Sequence, residues 1–322
     1  MNEETREKLA EISRMLEERV KDFRTSEMWL KHLEMQARLP HYSFNNCILI
    51  ELQTQGKATM CQSFTGWKAM GGSVKKSEKG LKIICPAPRK VYTYETKRDE
   101  NGNEIRAADG TVEKEKVCHV QQSYKVGYTF DVSQVDITNL PEICTRLDGS
   151  VEGAEDLIGI LQEISPVPIA FDHINGTANG YFSPSDLRIV VDEDLSPNHK
   201  IHTCLHEMAH ATLNLSGEDN GASRELKETE AESIAFVTMK HLLGDKMTAE
   251  DIGQYSFGYI NNWASSDDLT EMKTAMATIQ WTSAALIDKI EAVYRDREKL
   301  ADKESEEAVE AQVIVQHKGK HM

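Results

Sequence analysis

The six cysteines of this chain include no C-x-x-C pair, and no segment carries the roughly 20 consecutive apolar residues of a membrane-spanning helix. The scatter of Cys47, Cys61, Cys85, Cys118, Cys144 and Cys204 argues against a disulfide framework and for reduced thiols in a cytosol. The longest apolar runs, such as that around Ile48 to Leu52, stop far short of a membrane span, so no membrane partner is expected. The opening MNEETREKLAEI is charged and helical in pattern, without the apolar core of a signal peptide, and a cytoplasmic location is expected. No internal repeat is evident.

What is present is an uneven charge. The chain of 322 residues has a net charge of −16, yet residues 1–139 carry 22 basic against 20 acidic side chains and the remainder 15 against 33. Within residues 57–90 there are eight basic side chains and one acid, Glu78. A local block of this kind attracts a polyanion even in an acidic protein, and the acidic half repels one.

The length suits two domains. Apolar spacing from Leu9 to Phe23, continued by Trp29, Leu30, Leu33 and Met35, predicts a long helix over 3–37. A second helix is expected from Ser43 to Gly56, and a short one around Trp67, ended by Gly71-Gly72. Strands are expected in LKIICPAP, RKVYTYET and VCHVQQSYKVGYTFDVSQ, with the charged stretch before the last as a hairpin loop. The pattern is α+β, with domains at 1–140 and 141–295 and a polar, mobile tail at 296–322. In the second domain, GYFSPSDLRIVV reads as a hairpin from Tyr181 to Ser183 and back from Leu187 to Val191.

The hairpin leads into HEMAH, a match to H-E-x-x-H. On a helix His206 and His210 point the same way, and Glu207 is offset by about 100°. Two imidazoles can then share one zinc ion while the carboxylate takes a proton from water. The extended motif with a third histidine fails, because Leu213 and Ser216 occupy the required positions. The next helix, RELKETEAESIAFVTMKHLL, offers Glu225, Glu228, Glu230 and Glu232. Glu230 lies inside the apolar arc of Leu226, Ala231, Ile234, Ala235, Val237, Thr238 and Leu242, where a carboxylate is costly unless paired or metal-bound. It is the expected third ligand. His202 is not nominated. Tyr255, Tyr259 and Trp263 are candidates for a substrate-side wall or for core.

HEMAHATLN followed by ETEAESIAF resembles zincin peptidases of the gluzincin kind, where a glutamate directly before alanine on the second helix binds zinc. The lead-in to HEMAH resembles the ImmA/IrrE-like metallopeptidases and the C-terminal half of the ArdC antirestriction family. In zincins the strand before the motif helix is an edge that pairs with extended peptide. Leu187 to Val191 is expected to be that edge.

In the first domain, aromatics (Tyr42, Phe44, Phe64, Trp67) interleave with Lys57, Lys68, Lys75, Lys76, Lys79 and Lys82, which suits a single-strand groove and, on the residues alone, suits core aromatics with a solvated lysine hairpin better. Ser43-Phe44-Asn45-Asn46, Ala58-Thr59, Phe64, Trp67, GGSVKKSEKGLKIICP and YTFDVSQV resemble the N-terminal domain of ArdC-type proteins, which binds single-stranded DNA. Cys47 and Ser77 depart from that family's usual residues. The resemblance implies single-stranded DNA contacts among Asn45, Asn46, Trp67, Lys68, Lys75, Lys76, Lys79 and Lys82. It implies a zinc-dependent peptidase acting on a protein or peptide, such as a restriction or repressor protein, in the service of a mobile element. Two other readings stand beside it: a non-proteolytic DNA-binding or DNA-mimicking protein with a structural zincin half, and an ImmA-like protease that cleaves a repressor.

Overall fold

The helical periodicity over 3–37 is realised as two helices, α1 (Glu3–Val20) and α2 (Ser26–Arg38). Thr25 makes the start of the second: its backbone is extended and its hydroxyl accepts the Met28 N–H at 3.3 Å, which caps the new helix. The computed structural model describes residues 3–20, 25–138, 151–217, 222–247, 255, 257, 260 and 270–319. Elements of both kinds alternate along it, an α+β chain.

After α2 come α3 (Phe44–Thr54), β1 (Cys61–Gln62), the short α4 (Phe64–Ala69), β2 (Ser73–Val74), β3 (Leu81–Pro86), β4 (Arg89–Thr96), β5 (Lys114–Gln121), β6 (Tyr124–Asp131) and β7 (Val135–Asp136). A small sheet runs β1-β6-β3, and β2 pairs with β7. The outer side of β3 meets side chains instead of another strand. Asn46 bonds both the N–H and C=O of Ile84 (2.8 and 2.9 Å), and Gln53 does the same for Lys82 (2.8 and 2.9 Å). Two amides about two turns apart on α3 thus satisfy an edge that would otherwise stay open. The stretch expected as a hairpin loop after β4 folds back with two further bridges, Arg98↔Glu104 and Arg106↔Val112.

The second half runs α5 (Val151–Ile164), β8 (Ile169–Asp172), β9 (Gly180–Ser183), β10 (Arg188–Asp192), α6 (Pro197–Ser216), α7 (Arg224–Leu243) and α8 (Thr270–Gly319). The expected domain boundary near 140 and the connector up to 150 lie outside the described residues. The expected polar tail from 296 continues α8 as helix to Gly319. The sheet order is β8-β10-β9, with β10 parallel to β8 and antiparallel to β9. This corrects the expected substrate edge. β10, which contains most of Leu187–Val191, is the central strand, and its Ile189, Val190 and Val191 are buried. β9 and β10 both pack against α6, and β9 is an outer strand of the sheet.

One core crosses the chain. Trp29, Leu33 and Ile48 from the first helices are buried in the same cluster as Leu157, Val191, Met208, Phe236 and Ile287. The buried Trp29 indole donates to Ser233 Oγ at 3.1 Å, and His241 meets Ala37 O at 2.7 Å and Glu291 at 3.1 Å. α7 is therefore packed by α2, α6 and α8 together. Among the described residues no helix is long and apolar enough to cross a membrane, and the five described cysteines form no disulfide.

Candidate metal centre and nucleic-acid surface

α6 begins with Pro197 in its first turn, where the missing N–H costs nothing, and stops at Gly217, whose φ of 75° is a left-handed cap. Between these ends His206 and His210 share one face, with their Nε2 atoms 3.1 Å apart. The third donor comes from α7: Glu228 Oε2 lies 3.3 Å from His206 Nε2 and 3.5 Å from His210 Nε2. Donors on a tetrahedral zinc with bonds of about 2.0–2.1 Å stand roughly 3.3 Å apart. The three atoms fit one ion.

Glu230 is not part of this triangle. Two residues along a helix turn the side chain by about 200°, so Glu230 points away from the side that Glu228 shares with Glu232. The groups of donors close enough to hold a metal include His206–His210–Glu228 and His202–His206–Glu232, and neither contains Glu230. A further group, His173, Asp192 and Asp194, sits at the ends of β8 and β10 and is largely exposed. The signal for Glu228 was in the sequence. His206 and His210 are four apart, and Glu228 and Glu232 repeat that interval on the facing helix.

Glu232 is buried and accepts from His206 Nδ1 at 2.8 Å, which turns Nε2 toward Glu228. Burial presses its carboxyl upward, but the imidazoles of His202 and His206 outweigh this and hold it at about 2. His202, whose Nε2 is 3.5 Å from Glu232, backs that carboxylate and packs edge-on against Tyr255 at 4.6 Å. Tyr255 also meets Phe236 at 5.0 Å, while Tyr259 and Trp263 lie outside the described residues.

Without an ion, burial pushes the His206 imidazole down, but Glu228 and Glu232 more than compensate and raise its pKa to about 10. An incoming cation must displace that proton. Apparent metal affinity is expected to rise by about tenfold per pH unit through the neutral range, read by competition titration against a chelator.

Glu207 is buried, and burial raises its pKa despite the nearby His206 and an accepted Phe182 N–H. It faces a cleft of about 470 Å3 bounded by His206, His210, Glu228, Arg224 and the Gly180–Phe182 edge. Gly180 lets the strand approach. A Cβ there would stand 2.6 Å from Thr203 Cγ2 and 2.9 Å from Val190 O. Gly180→Ala is expected to push β9 off α6 and cost about 1–3 kcal/mol, visible as a lower midpoint in thermal unfolding.

The residues expected to touch DNA separate into two sets. Trp67 is fully buried, its indole donating to Phe130 O at 2.8 Å, and Asn46 is the buried clamp on Ile84. Both belong to the fold. Asn45, Lys68, Lys75, Lys76, Lys79 and Lys82 are exposed, with Lys75 Nζ on Ser133 O at 2.8 Å. Aromatics that do face solvent near these lysines include Phe64, 57% exposed, and Tyr128, 51% exposed. Phe64 meets Phe130 edge-on at 6.4 Å, and Lys82 stands directly across from Tyr128.

Residues 2–126 match the family described as the N-terminal domain of the anti-restriction factor ArdC, and residues 167–251 match the IrrE N-terminal-like domain. The chain is ArdC-like. Its first part has that family's N-terminal domain, and the candidate metal-binding residues His206, His210 and Glu228 fall within the stretch that matches the IrrE-like domain. An uncharacterized protein of Bacillus anthracis is 24% identical over 351 residues, taking in 97% of this chain. The chain spans 57% of that relative's length. Crystal structures of the antirestriction protein ArdC from plasmid R388 are similar in their metal-free and Mn(II)-bound forms, at 20% and 16% identity. They cover 78% and 77% of this chain and 85% of those chains, with TM-scores of 0.39 and 0.42.

Proposed function

We propose that the chain is an antirestriction-type protein of a mobile element whose second half is a divalent-metal peptidase and whose first half holds single-stranded DNA. The observation that carries the peptidase reading is the triangle of His206, His210 and Glu228 beside Glu207 in a cleft walled by β9. Two imidazoles and one carboxylate with a fourth side open suit zinc, which supplies Lewis acidity to a peptide carbonyl and to water. The residues do the rest. Glu232 fixes the tautomer and tilt of His206 through Nδ1. The outward backbone of β9 pairs with an extended substrate. Glu207, raised by burial, accepts a proton at its carboxylate and returns it to the leaving amine. Relative to the sequence expectation, Glu228 replaces Glu230 as third ligand.

For DNA, the exposed rings of Phe64 and Tyr128 with Lys68, Lys79 and Lys82 around them offer stacking faces and cations together. The match to the anti-restriction factor's N-terminal domain supports this reading and the protection of incoming DNA. A second reading rests on charge. The acidic half, with 15 basic against 33 acidic side chains from residue 140 onward, is also suited to occupying a nuclease's DNA site. The two are separated by Glu207→Gln in a restriction-challenge assay of plasmid transfer. Loss of protection supports the peptidase reading, and protection that survives with hydrolysis abolished supports the mimic.

A further inference from the structure

The β4–β5 ribbon stands apart from the rest of the fold. Among the described residues neither strand pairs with any other, so both edges are open, and most of its side chains are exposed. The antiparallel register sorts those side chains. Lys90 lies opposite Val120, Tyr92 opposite Cys118, Tyr94 opposite Lys116 and Thr96 opposite Lys114. Opposed residues and alternate residues share a face, so Lys90, Tyr92, Tyr94, Lys114 and Lys116 form one surface. It has three cations, two phenols and no carboxylate. The other face mixes both signs, with Arg89, Glu95, Glu115 and His119 on it, Arg89 donating to Gln121 (2.8 Å) and Glu95 meeting His119 (2.6 Å).

We propose that the lysine–tyrosine face of this ribbon is a docking surface for duplex DNA, independent of the single-strand surface on β6. Eight residues per strand give a rod roughly 27 Å long, and a two-stranded ribbon fits a major groove about 12 Å wide. The deep, narrow major groove of A-form RNA excludes it. Tyr92 and Tyr94 are 53% and 69% exposed. Lys116 Nζ already covers the Tyr92 ring at 4.4 Å. That ring face is not open to an unstacked base, which favours a paired partner contacted at its phosphates through ammonium and phenol donors.

The test uses the whole chain in fluorescence anisotropy against a duplex of about two helical turns, a single strand of the same length, and phosphatidylserine vesicles. Lys90→Gln, Lys114→Gln and Lys116→Gln combined are expected to weaken duplex binding by at least tenfold. The slope of log affinity against log salt should become shallower by about 2 to 3, with single-strand affinity unchanged within about twofold. Arg89→Gln on the opposite face, with circular dichroism as a fold control, should leave duplex binding as it was. The proposal is overturned if the wild-type chain does not bind duplex or if the triple variant binds it unchanged. It is equally overturned if single-strand binding falls in step, or if vesicles rather than duplex depend on the three lysines. A failure of single-strand binding alone counts against the reading of the β6 surface and leaves this one standing.

Discussion

Glu207→Gln is expected to keep its metal and lose hydrolysis by roughly a hundred- to ten-thousandfold. The substitution changes neither volume nor any donor of the triangle, since Glu207 belongs to neither group of ligating atoms at the α6–α7 site. The amide oxygen can still accept the Phe182 N–H that the carboxylate accepts now, so β9 stays in place. What disappears is proton-accepting capacity in a buried position where burial has raised the pKa toward the working range. The loss corresponds to about 3–5 kcal/mol of transition-state stabilisation. Peptide-library turnover measured alongside metal content reads both halves of this expectation. A variant that loses metal together with activity places Glu207 among the ligands instead.

Glu228→Gln is expected to weaken metal binding by more than a hundredfold, while Glu230→Gln leaves it within about threefold. Removing a group that merely orients a ligand already costs about 10–100-fold, and Glu228 meets both imidazoles directly, at 3.3 and 3.5 Å. Glu232→Gln should fall in the orienting range, because an amide cannot hold His206 Nδ1 as the buried carboxylate does. Isothermal titration with zinc and with manganese separates the three variants. A large loss at Glu230 with none at Glu228 restores the helix-arc argument and removes the present assignment.

The two glutamates differ in the side of α7 that each occupies, and only part of that was legible in the sequence. The boundaries of α7, Arg224 to Leu243, were legible from Ser223, whose side chain caps Leu226 N–H, and from Gly244. Its inward side was not. Residues 231–239 are all buried, because α2, α6 and α8 enclose the helix, and an apolar arc has no single direction on a helix buried all round. The repeated interval of four describes two faces meeting, and in the structure it sets Glu228 and Glu232 against the α6 histidines. Helix α6 and its histidines required only local geometry and were read directly from HEMAH.

The strands tell a similar story. Leu187–Val191 precedes the motif helix, which suggests an edge, but Ile189-Val190-Val191 is a continuous apolar run, the mark of a strand covered on both faces. β8, its parallel neighbour, is four residues long and carried too little pattern to be seen. In the first half, Trp67 stands among lysines in the sequence, yet the fold buries it. Its indole N–H needed a partner once buried and found Phe130 O. Composition placed the cations on the surface, and tertiary contacts decided which aromatics joined them.

The central claim is that α6 and α7 together hold one divalent ion. Metal analysis of the purified chain, with His206→Ala as control, tests it most directly. The account predicts one zinc or manganese ion per wild-type chain after equilibration and none in the variant. A wild-type chain that takes up no ion, or a variant that takes it up unchanged, contradicts it.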